Sequence, residues 1–307
     1  MTAVPAGLPG ARALSGTAFA TLLLIALMMG GNHVAARIAF NNGVDVATAV
    51  VFRSVVTASV IVVLLAAQGV RVRFTARHKR MLPAIGLLIG VQSLCLYSAV
   101  ARLPVALALL AFNTYPIWTA LWSWALYRKP PERVLLLAMP VILLGLALAL
   151  DVLGAASGLG ASGQWARIGA GVGFALAAAA TFGLALVVTQ HEAGDVDGRV
   201  RTATTMIMAG MVALALVASQ GGFHLPRAPA GWGGLAALTF LYGTAFTIMF
   251  TVLPRLGVVG NSAIMNVEPV FALVLAWMIL GQAVAPVQVL GALIVVGAVM
   301  VLGLRRR

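Results

Sequence analysis

The chain has 307 residues, of which 62% are apolar and only 9% are charged, and its formal net charge is +13. Soluble domains carry roughly 25% charged residues, so this composition excludes a water-soluble domain and indicates an integral membrane protein. Nucleic-acid binding is not expected, because the basic residues lie in short loops between apolar runs, where they set membrane topology.

Ten apolar runs have the length, ~20 residues, that a helix needs to cross the hydrocarbon core. We therefore predict an all-α membrane protein with ten transmembrane helices at 17–38, 46–68, 81–101, 104–127, 133–152, 166–190, 201–220, 231–253, 258–280 and 286–304. The first run follows Arg12, as in a signal peptide, but it continues through Gly30 and Gly31 without a convincing cleavage site. We expect it to remain as a helix of the mature protein.

One stretch of the sequence occurs twice. Residues 102–129 and 255–282 align without a gap at a shift of 153 positions, which pairs Asn113 with Asn266 and Pro116 with Pro269. Because internal repeats define architecture, we predict two five-helix repeats. They cover residues 1–153 and 166–307, joined by a Gly/Ser-rich linker at 154–165.

The distribution of Lys and Arg predicts the orientation. With the N-terminus in the cytoplasm, 15 of the 20 basic residues fall on the cytoplasmic side and 5 on the other side, which favours both termini inside. Each repeat has an odd number of helices, so the second repeat enters the membrane opposite to the first. A 5+5 inverted repeat is typical of transporters that work by alternating access.

A polar group at membrane depth is expensive and is a candidate site. Glu268 is the only carboxylate near the centre of a predicted span, and Pro269 after it frees a backbone carbonyl. Glu268 either contacts a substrate or a proton, or braces a kinked helix. Its counterpart in the first repeat is Tyr115, followed by Pro116, so the two copies differ in charge.

Amides and a histidine near mid-depth extend this candidate site. Asn113 and Asn266 either satisfy carbonyls freed by the breaks or face a solute, and His33 either bonds a neighbouring helix or contacts substrate. We expect Arg37 and Arg53 to snorkel or to pair with Asp45 rather than to bind substrate. The predicted substrate-binding set is Asn32, His33, Tyr97, Asn113, Tyr115, Pro116, Trp118, Tyr242, Asn266, Glu268 and Pro269.

The sequence offers little for other chemistry. A lone cysteine, Cys95, permits no intramolecular disulfide and no multi-cysteine metal site. We find no phosphate-binding loop and no nucleophile with its base, so we expect neither an enzyme nor a bound metal or cofactor. No lysine lies inside a predicted span, which disfavours bulky anionic substrates.

Several motifs carry a family resemblance. They are Gly30-Gly31-Asn32, Arg53, Leu96-Tyr97 with Ala101, Tyr115-Pro116, Glu268-Pro269, Gln288 and Gly291. With these motifs the chain resembles the ten-helix EamA-type branch of the drug/metabolite transporter superfamily. It departs from the family where spans four and nine often end in Gly-Glu, because Arg128-Lys129 and Gly281-Gln282 stand there.

Within that branch the chain is most similar to bacterial amino-acid exporters of the YddG type. The resemblance implies a central cavity between the two halves and export of amino acids, including aromatic and other hydrophobic ones, or related metabolites across the inner membrane. We expect the partners to be this solute and the lipid bilayer, with a monomer as the working unit. The alternatives are efflux of drugs or quaternary ammonium cations, and a structural or assembly role in the membrane.

Overall fold

The computed structural model describes residues 16–70, 74–131, 133–252 and 267–305, and these form helices and connecting turns with no β-strand. The helices are α1 Gly16–Asn41, α2 Val46–Ala67, α3 Ala76–Arg102, α4 Val105–Phe112, α5 Tyr115–Tyr127, α6 Arg133–Ala149, α7 Gly160–Glu192, α8 Gly198–Ser219, α9 Pro229–Thr251, α10 Glu268–Leu280 and α11 Pro286–Arg305. Because α7 begins at Gly160, the second half of the predicted linker is helical.

The helices have the length and composition of membrane spans. Within the described ranges, seven helical segments are long and apolar enough to cross a membrane, when α4 and α5 are counted as one. Three shorter apolar helices follow the same pattern, at Leu136–Ala149, Glu268–Leu280 and Pro286–Val301. The prediction of a multi-pass, all-helical membrane protein is therefore confirmed.

Local sequence explains where several helices begin. The Asp45 carboxylate accepts a hydrogen bond from the backbone N–H of Thr48, and Thr75 forms a reciprocal capping box with His78. The predicted break in the first copy of the repeated stretch separates α4 from α5, and Pro116 lies in the first turn of α5. Proline, which lacks a backbone N–H, is tolerated there because an N–H in the first turn of a helix would have no helical partner.

The helices pack in pairs that respect the repeat. The repeat matches α1 with α7, α2 with α8, α3 with α9, α5 with α10 and α6 with α11. Observed packing pairs include α1 with α9, α3 with α7, α2 with α8, and α6 with α11. If each helix is replaced by its repeat counterpart, the α1–α9 pair becomes the α7–α3 pair. The α2–α8 and α6–α11 pairs each become themselves. α4 lies at the centre of the main apolar core, with every residue from Val105 to Ala111 buried.

Hydrogen bonds at the helix ends show that these paired helices are antiparallel. At one end of the bundle they join the starts of α3 and α8 to the ends of α7 and α2: Arg77 to Glu192 (2.8 Å), His78 to Asp195 (3.1 Å) and Arg199 to Gln68. The ends of α5 and α7 meet on the same side, through Tyr127 and Glu192 (3.0 Å). At the other end they are Arg227 to Asn42 (3.0 Å), His224 to Thr48 (3.1 Å), Val105 to Gln282 (3.1 Å) and Gln288 to Ala149 (3.0 Å). Each bond joins loops or helix ends that the sequence places on the same side of the membrane.

Two glycines at matched positions of the repeat lie at close contacts between the halves. A Cβ atom on Gly30 of α1 would lie 3.0 Å from the backbone nitrogen of Ala272 in α10. A Cβ atom on Gly183 of α7 would lie 2.8 Å from the backbone nitrogen of Thr119 in α5. Gly30 and Gly183 are 153 positions apart, which is the repeat shift, and so are their partners Thr119 and Ala272. The two copies therefore share one helix-packing contact, of the small-residue type common in membranes.

The ends of α5 and α10 match as well. Arg128 follows α5 with φ 56° and ψ 25°, and Gly281 follows α10 with φ 63° and ψ 21°. Both are left-handed C-terminal caps, a conformation that suits glycine and strains a residue with a Cβ. Arg128 therefore stands, in place of the glycine that the family often has, at a position where the left-handed backbone strains a residue with a Cβ.

Replacing Arg128 with glycine is expected to stabilise the fold by about 0.5–1 kcal/mol, because glycine adopts this conformation without a Cβ clash. The matched variant Gly281→Ala should shift stability in the opposite direction by a similar amount. Thermal unfolding of the purified protein in detergent measures both. A lower melting temperature for Arg128→Gly would show that side-chain contacts of the arginine outweigh the strain.

Candidate functional site

A polar cluster lies inside the bundle where α1 meets α3 and α10. Asn32 and His33 are buried, with 0% and 3% of their surfaces exposed. The Tyr97 hydroxyl donates to Asn32 Oδ1 at 2.8 Å, and His33 Nε2 lies 3.3 Å from Glu268 Oε1. The His33 ring also meets the Tyr97 ring edge-on, with centroids 5.7 Å apart. Four residues of the predicted set thus lie together and join the two halves.

Arg53 belongs to this cluster, which corrects the expectation that it snorkels or pairs with Asp45. It is 3% exposed, and its guanidinium carbon lies 4.6 Å from the Tyr97 ring centroid and 4.0 Å from that of Tyr242. Such cation–π contacts are strongest when desolvated. Arg53 is the eighth residue of α2, ~10 Å along the helix from its start, and this depth is the signal that sequence reasoning missed.

Arg37 also differs from its prediction. Its Nη1 donates to the carbonyl oxygens of Val100 at 2.6 Å and Leu103 at 3.2 Å, at the C-terminal end of α3. Asp45 instead caps the start of α2. A cation at a helix C-terminus satisfies carbonyls that lack helical partners and interacts favourably with the helix dipole. Arg37 therefore has a structural role outside the cluster.

The break between α4 and α5 is satisfied locally. The Thr114 hydroxyl donates to the Ala111 carbonyl at 2.8 Å, and the Asn113 N–H donates to the Leu109 carbonyl at 2.8 Å. The bracing role considered for the side chain of Asn113 is thus at least partly carried by Thr114. Asn266, its repeat counterpart, lies outside the described residues.

Tyr115 and Trp118 lie in a separate, aromatic cluster. The Tyr115 ring packs against Phe112 and Phe182 at centroid distances of 5.7 and 5.2 Å, and Trp118 Cβ lies against Gly183. This cluster joins α4 and α5 to α7, just as Glu268 joins α10 to α1. The predicted site residues therefore form two groups, one polar and one aromatic, at matched positions of the repeat.

Pro269 is buried in the first turn of α10. Pro116 occupies the same helix position in α5. Pro269 also borders an apolar cleft between α4, α10 and α11. The cleft is lined by Ala106, Leu107, Leu110, Pro269, Val270, Leu273, Val284, Gln288, Val289, Ala292, Leu293 and Val296. None of the polar-cluster side chains lines it, so the cleft and the polar cluster are distinct features of the bundle.

The polar cluster has the chemistry of a binding site rather than of a metal centre. Among the described residues no three His, Cys, Asp or Glu side chains come close enough together to hold a metal ion. The cluster combines a permanent cation, one carboxylate, an amide, an imidazole and two phenols. Such a set can bind a small polar or zwitterionic solute between apolar walls.

Removing the hydroxyl in Tyr97→Phe is expected to lower the free energy of unfolding by about 1–3 kcal/mol, because it leaves the buried Asn32 side chain without the one hydrogen-bond partner it has among the described residues. Tyr242→Phe is the matched control. Its hydroxyl contacts only the sulfur of Met206, at 3.8 Å, while its ring also covers Arg53. Thermal melts in detergent compare the two, and equal losses would contradict the assigned role of the Tyr97 hydroxyl.

Comparisons with known proteins agree with this architecture. The profile of the EamA-like transporter family matches residues 16–150 and again residues 169–304. The threonine/homoserine exporter RhtA from two strains of Salmonella typhimurium is 24% identical over 240 residues, which cover 75% of this chain and 73% of the relative. A solved crystal structure shares the fold with a TM-score of 0.60 at 19% identity, covering 95% of this chain and 99% of that one.

Proposed function

Because the chain belongs to the EamA-like transporter family, we propose that it exports amino acids or related small metabolites across the bacterial inner membrane by alternating access. Transport rather than catalysis is the activity that the family implies. The observation that carries the proposal is the buried polar cluster, in which the cation of Arg53 and the carboxylate of Glu268 lie among Asn32, His33 and Tyr97.

The proposed architecture is ten spans in a 5+5 inverted repeat with both termini in the cytoplasm. The family profile matches the chain twice, which supports the duplication. The antiparallel pairing of α2 with α8 and of α6 with α11 supports a pseudo-twofold axis perpendicular to the helices. The excess of basic residues in the loops on one side supports the orientation. Such an arrangement provides two near-equivalent conformations, one open to each side.

The substrate class follows from the charges in the cluster. An amino acid carries one positive and one negative group on adjacent carbons, so it needs an anion and a cation close together in the site. Glu268 and Arg53 supply that pair, and the relatives named above are exporters of threonine and homoserine. Since the helices of one chain form the whole cluster, we propose that a monomer transports.

A flux assay with the purified full chain in proteoliposomes tests the proposal. We expect labelled phenylalanine or threonine to leave the vesicles faster than from protein-free liposomes, and unlabelled substrate on the opposite side to accelerate the exchange. A panel of the twenty common amino acids extends the test. No flux above the empty-liposome level for every member would exclude this substrate class.

Efflux of quaternary ammonium cations is the second candidate, and Glu268 is the observation that favours it. A carboxylate with 22% of its side chain exposed can act as the counter-ion of a cationic drug. The buried cation of Arg53 in the same cluster opposes it, because like charges repel strongly in a low dielectric. Flux of a labelled quaternary amine through the same vesicles separates the two candidates.

A further inference from the structure

The polar cluster contains several buried groups with no hydrogen-bond partner in the described part of the chain. On α1 and α2 they are Asn32 Nδ2, His33 Nδ1, Arg53 Nε and Arg53 Nη2. Buried polar side chains are paired in the large majority of cases, so such a concentration requires an explanation. The amide and guanidinium groups among them can only donate hydrogen bonds. The cluster therefore has donors in excess and is short of an acceptor.

The charge of Arg53 is also unbalanced. Guanidinium stays protonated in proteins, and a buried cation without a counter-ion is strongly unfavourable. No carboxylate of the described residues lies within 4.0 Å of it, since the observed ion pairs all involve other cations. The undescribed stretch 253–266 contains no acidic residue at all. The described part of the chain thus places a permanent cation inside the bundle without an adjacent acid.

The two tyrosines leave Nε and Nη2 of this cation without hydrogen-bond partners. Tyr97 and Tyr242 contact the guanidinium through their ring faces, at 4.6 and 4.0 Å from its carbon. The N–H groups of a guanidinium lie in its plane, where they form a fork that fits two carboxylate oxygens. Rings that hold the cation while Nε and Nη2 stay unpaired fix its position for a ligand.

From this geometry we infer that Arg53 binds the carboxylate of the exported solute, with the amide of Asn32, which is bonded to the Tyr97 hydroxyl, as a second donor. The inference rests on the proposed function and deepens it. It makes the carboxylate the obligatory part of the substrate. It leaves Glu268, which pairs with His33 beside Tyr97, to face the ammonium group. The solute is then recognised by its charged end, and the apolar side chain contributes less to selectivity.

Ligand-induced stabilisation of the purified full chain tests the inference with a matched set of probes. The set is phenylalanine, phenylalaninamide, phenethylamine, 3-phenylpropionate and chloride. We expect phenylalanine and 3-phenylpropionate to raise the melting temperature, and the amide and the amine to bind about tenfold more weakly or worse, because a charge-assisted pair is lost. Stabilisation by chloride equal to that by 3-phenylpropionate would contradict a site shaped for carboxylates.

Variants of Arg53 provide the second arm. Arg53→Lys keeps the charge but lacks the fork, so the preference for acid over amide should fall about tenfold, and Arg53→Gln should remove it. Arg102→Gln is the matched control. Arg102 also lies over an aromatic ring, that of Phe174 at 4.8 Å, but at the exposed end of α3, so its loss should leave the preference intact.

The outcomes separate this inference from the proposed function. Wild-type protein that binds the amide as tightly as the acid overturns the role of Arg53 even where amino acids are transported, and this arm does not depend on whether a variant folds. Arg53→Gln that folds and keeps the acid preference overturns it as well. Binding of 3-phenylpropionate that depends on Arg53, in a chain that transports no amino acid, supports the inference while the proposed substrate class fails.

Discussion

Glu268→Gln is expected to abolish the response of export to an imposed pH gradient, with a loss of about tenfold or more in gradient-driven flux. Glu268 is the only acid at membrane depth among the described residues, and 22% of its side chain is exposed. Acids in such positions form the proton relays of many transporters. Glutamine cannot release a proton but keeps an oxygen that can accept from His33 Nε2, so the contact between α10 and α1 should survive.

The assay for this prediction compares two modes of transport in the same proteoliposomes. Exchange of labelled for unlabelled phenylalanine at equal pH on both sides should weaken but persist in Glu268→Gln, because Arg53 still binds the carboxylate. Uptake driven by a pH difference should be lost. Asp195→Asn is the control, because Asp195 is an exposed acid that pairs with His78 at the end of the bundle. If Glu268→Gln still responds fully to the pH gradient, the proton is carried by another group.

The same variant bears on the second candidate function. If quaternary ammonium cations are substrates, Glu268 is their counter-ion, and Glu268→Gln should abolish their efflux while zwitterion exchange remains. Complete loss of both activities would instead indicate that the contact of this carboxylate with the ammonium group is indispensable for amino-acid transport. The pattern across the two substrates therefore distinguishes three roles of one side chain.

Much of the fold could be predicted because the signals are long and physical. Runs of ~20 apolar residues have few interpretations in a chain with so few charges. The repeat of residues 102–129 at 255–282 then placed Tyr115 and Glu268 at matched positions, and the structure shows each as the first residue of its helix. The same shift also matches Gly30 with Gly183. Gly30 on α1 lies against α10 next to Glu268, and Gly183 on α7 lies against α5 near Tyr115, so this match also predicts the two equivalent helix contacts.

What could not be predicted is which face of each helix points inward. In a soluble helix the polar face marks the solvent, but a span in lipid is apolar all round, so the sequence of α2 does not reveal its buried side. Arg53 was therefore assigned to the interface, although it lies between Tyr97 and Tyr242. The asymmetry of the site has a similar origin, because Glu268 meets His33 whereas Tyr115 meets Phe182.

Gly183→Ala is expected to destabilise the protein by about 1–3 kcal/mol, because the new Cβ would lie 2.8 Å from the backbone nitrogen of Thr119 and 3.0 Å from Trp118 Cβ. Backbone atoms cannot move aside as the tip of a side chain can, so α5 and α7 must separate. This separation also moves Trp118 and Tyr115, which pack against α7. We therefore expect transport to fall together with stability.

Two further alanine variants make this a graded test. Gly30→Ala should cost less than Gly183→Ala, because its Cβ would lie 3.0 Å from Ala272 N and 3.1 Å from the Glu268 carbonyl, where a shift of a few tenths of an ångström suffices. Gly173→Ala on α7 meets nothing within 4 Å and should be neutral or stabilise by up to ~1 kcal/mol, as expected from helix propensity. Unfolding in detergent ranks the three. An equal effect at Gly173 and Gly183 would mean that propensity rather than the contact between the halves sets stability, because only Gly183 lies against the other helix.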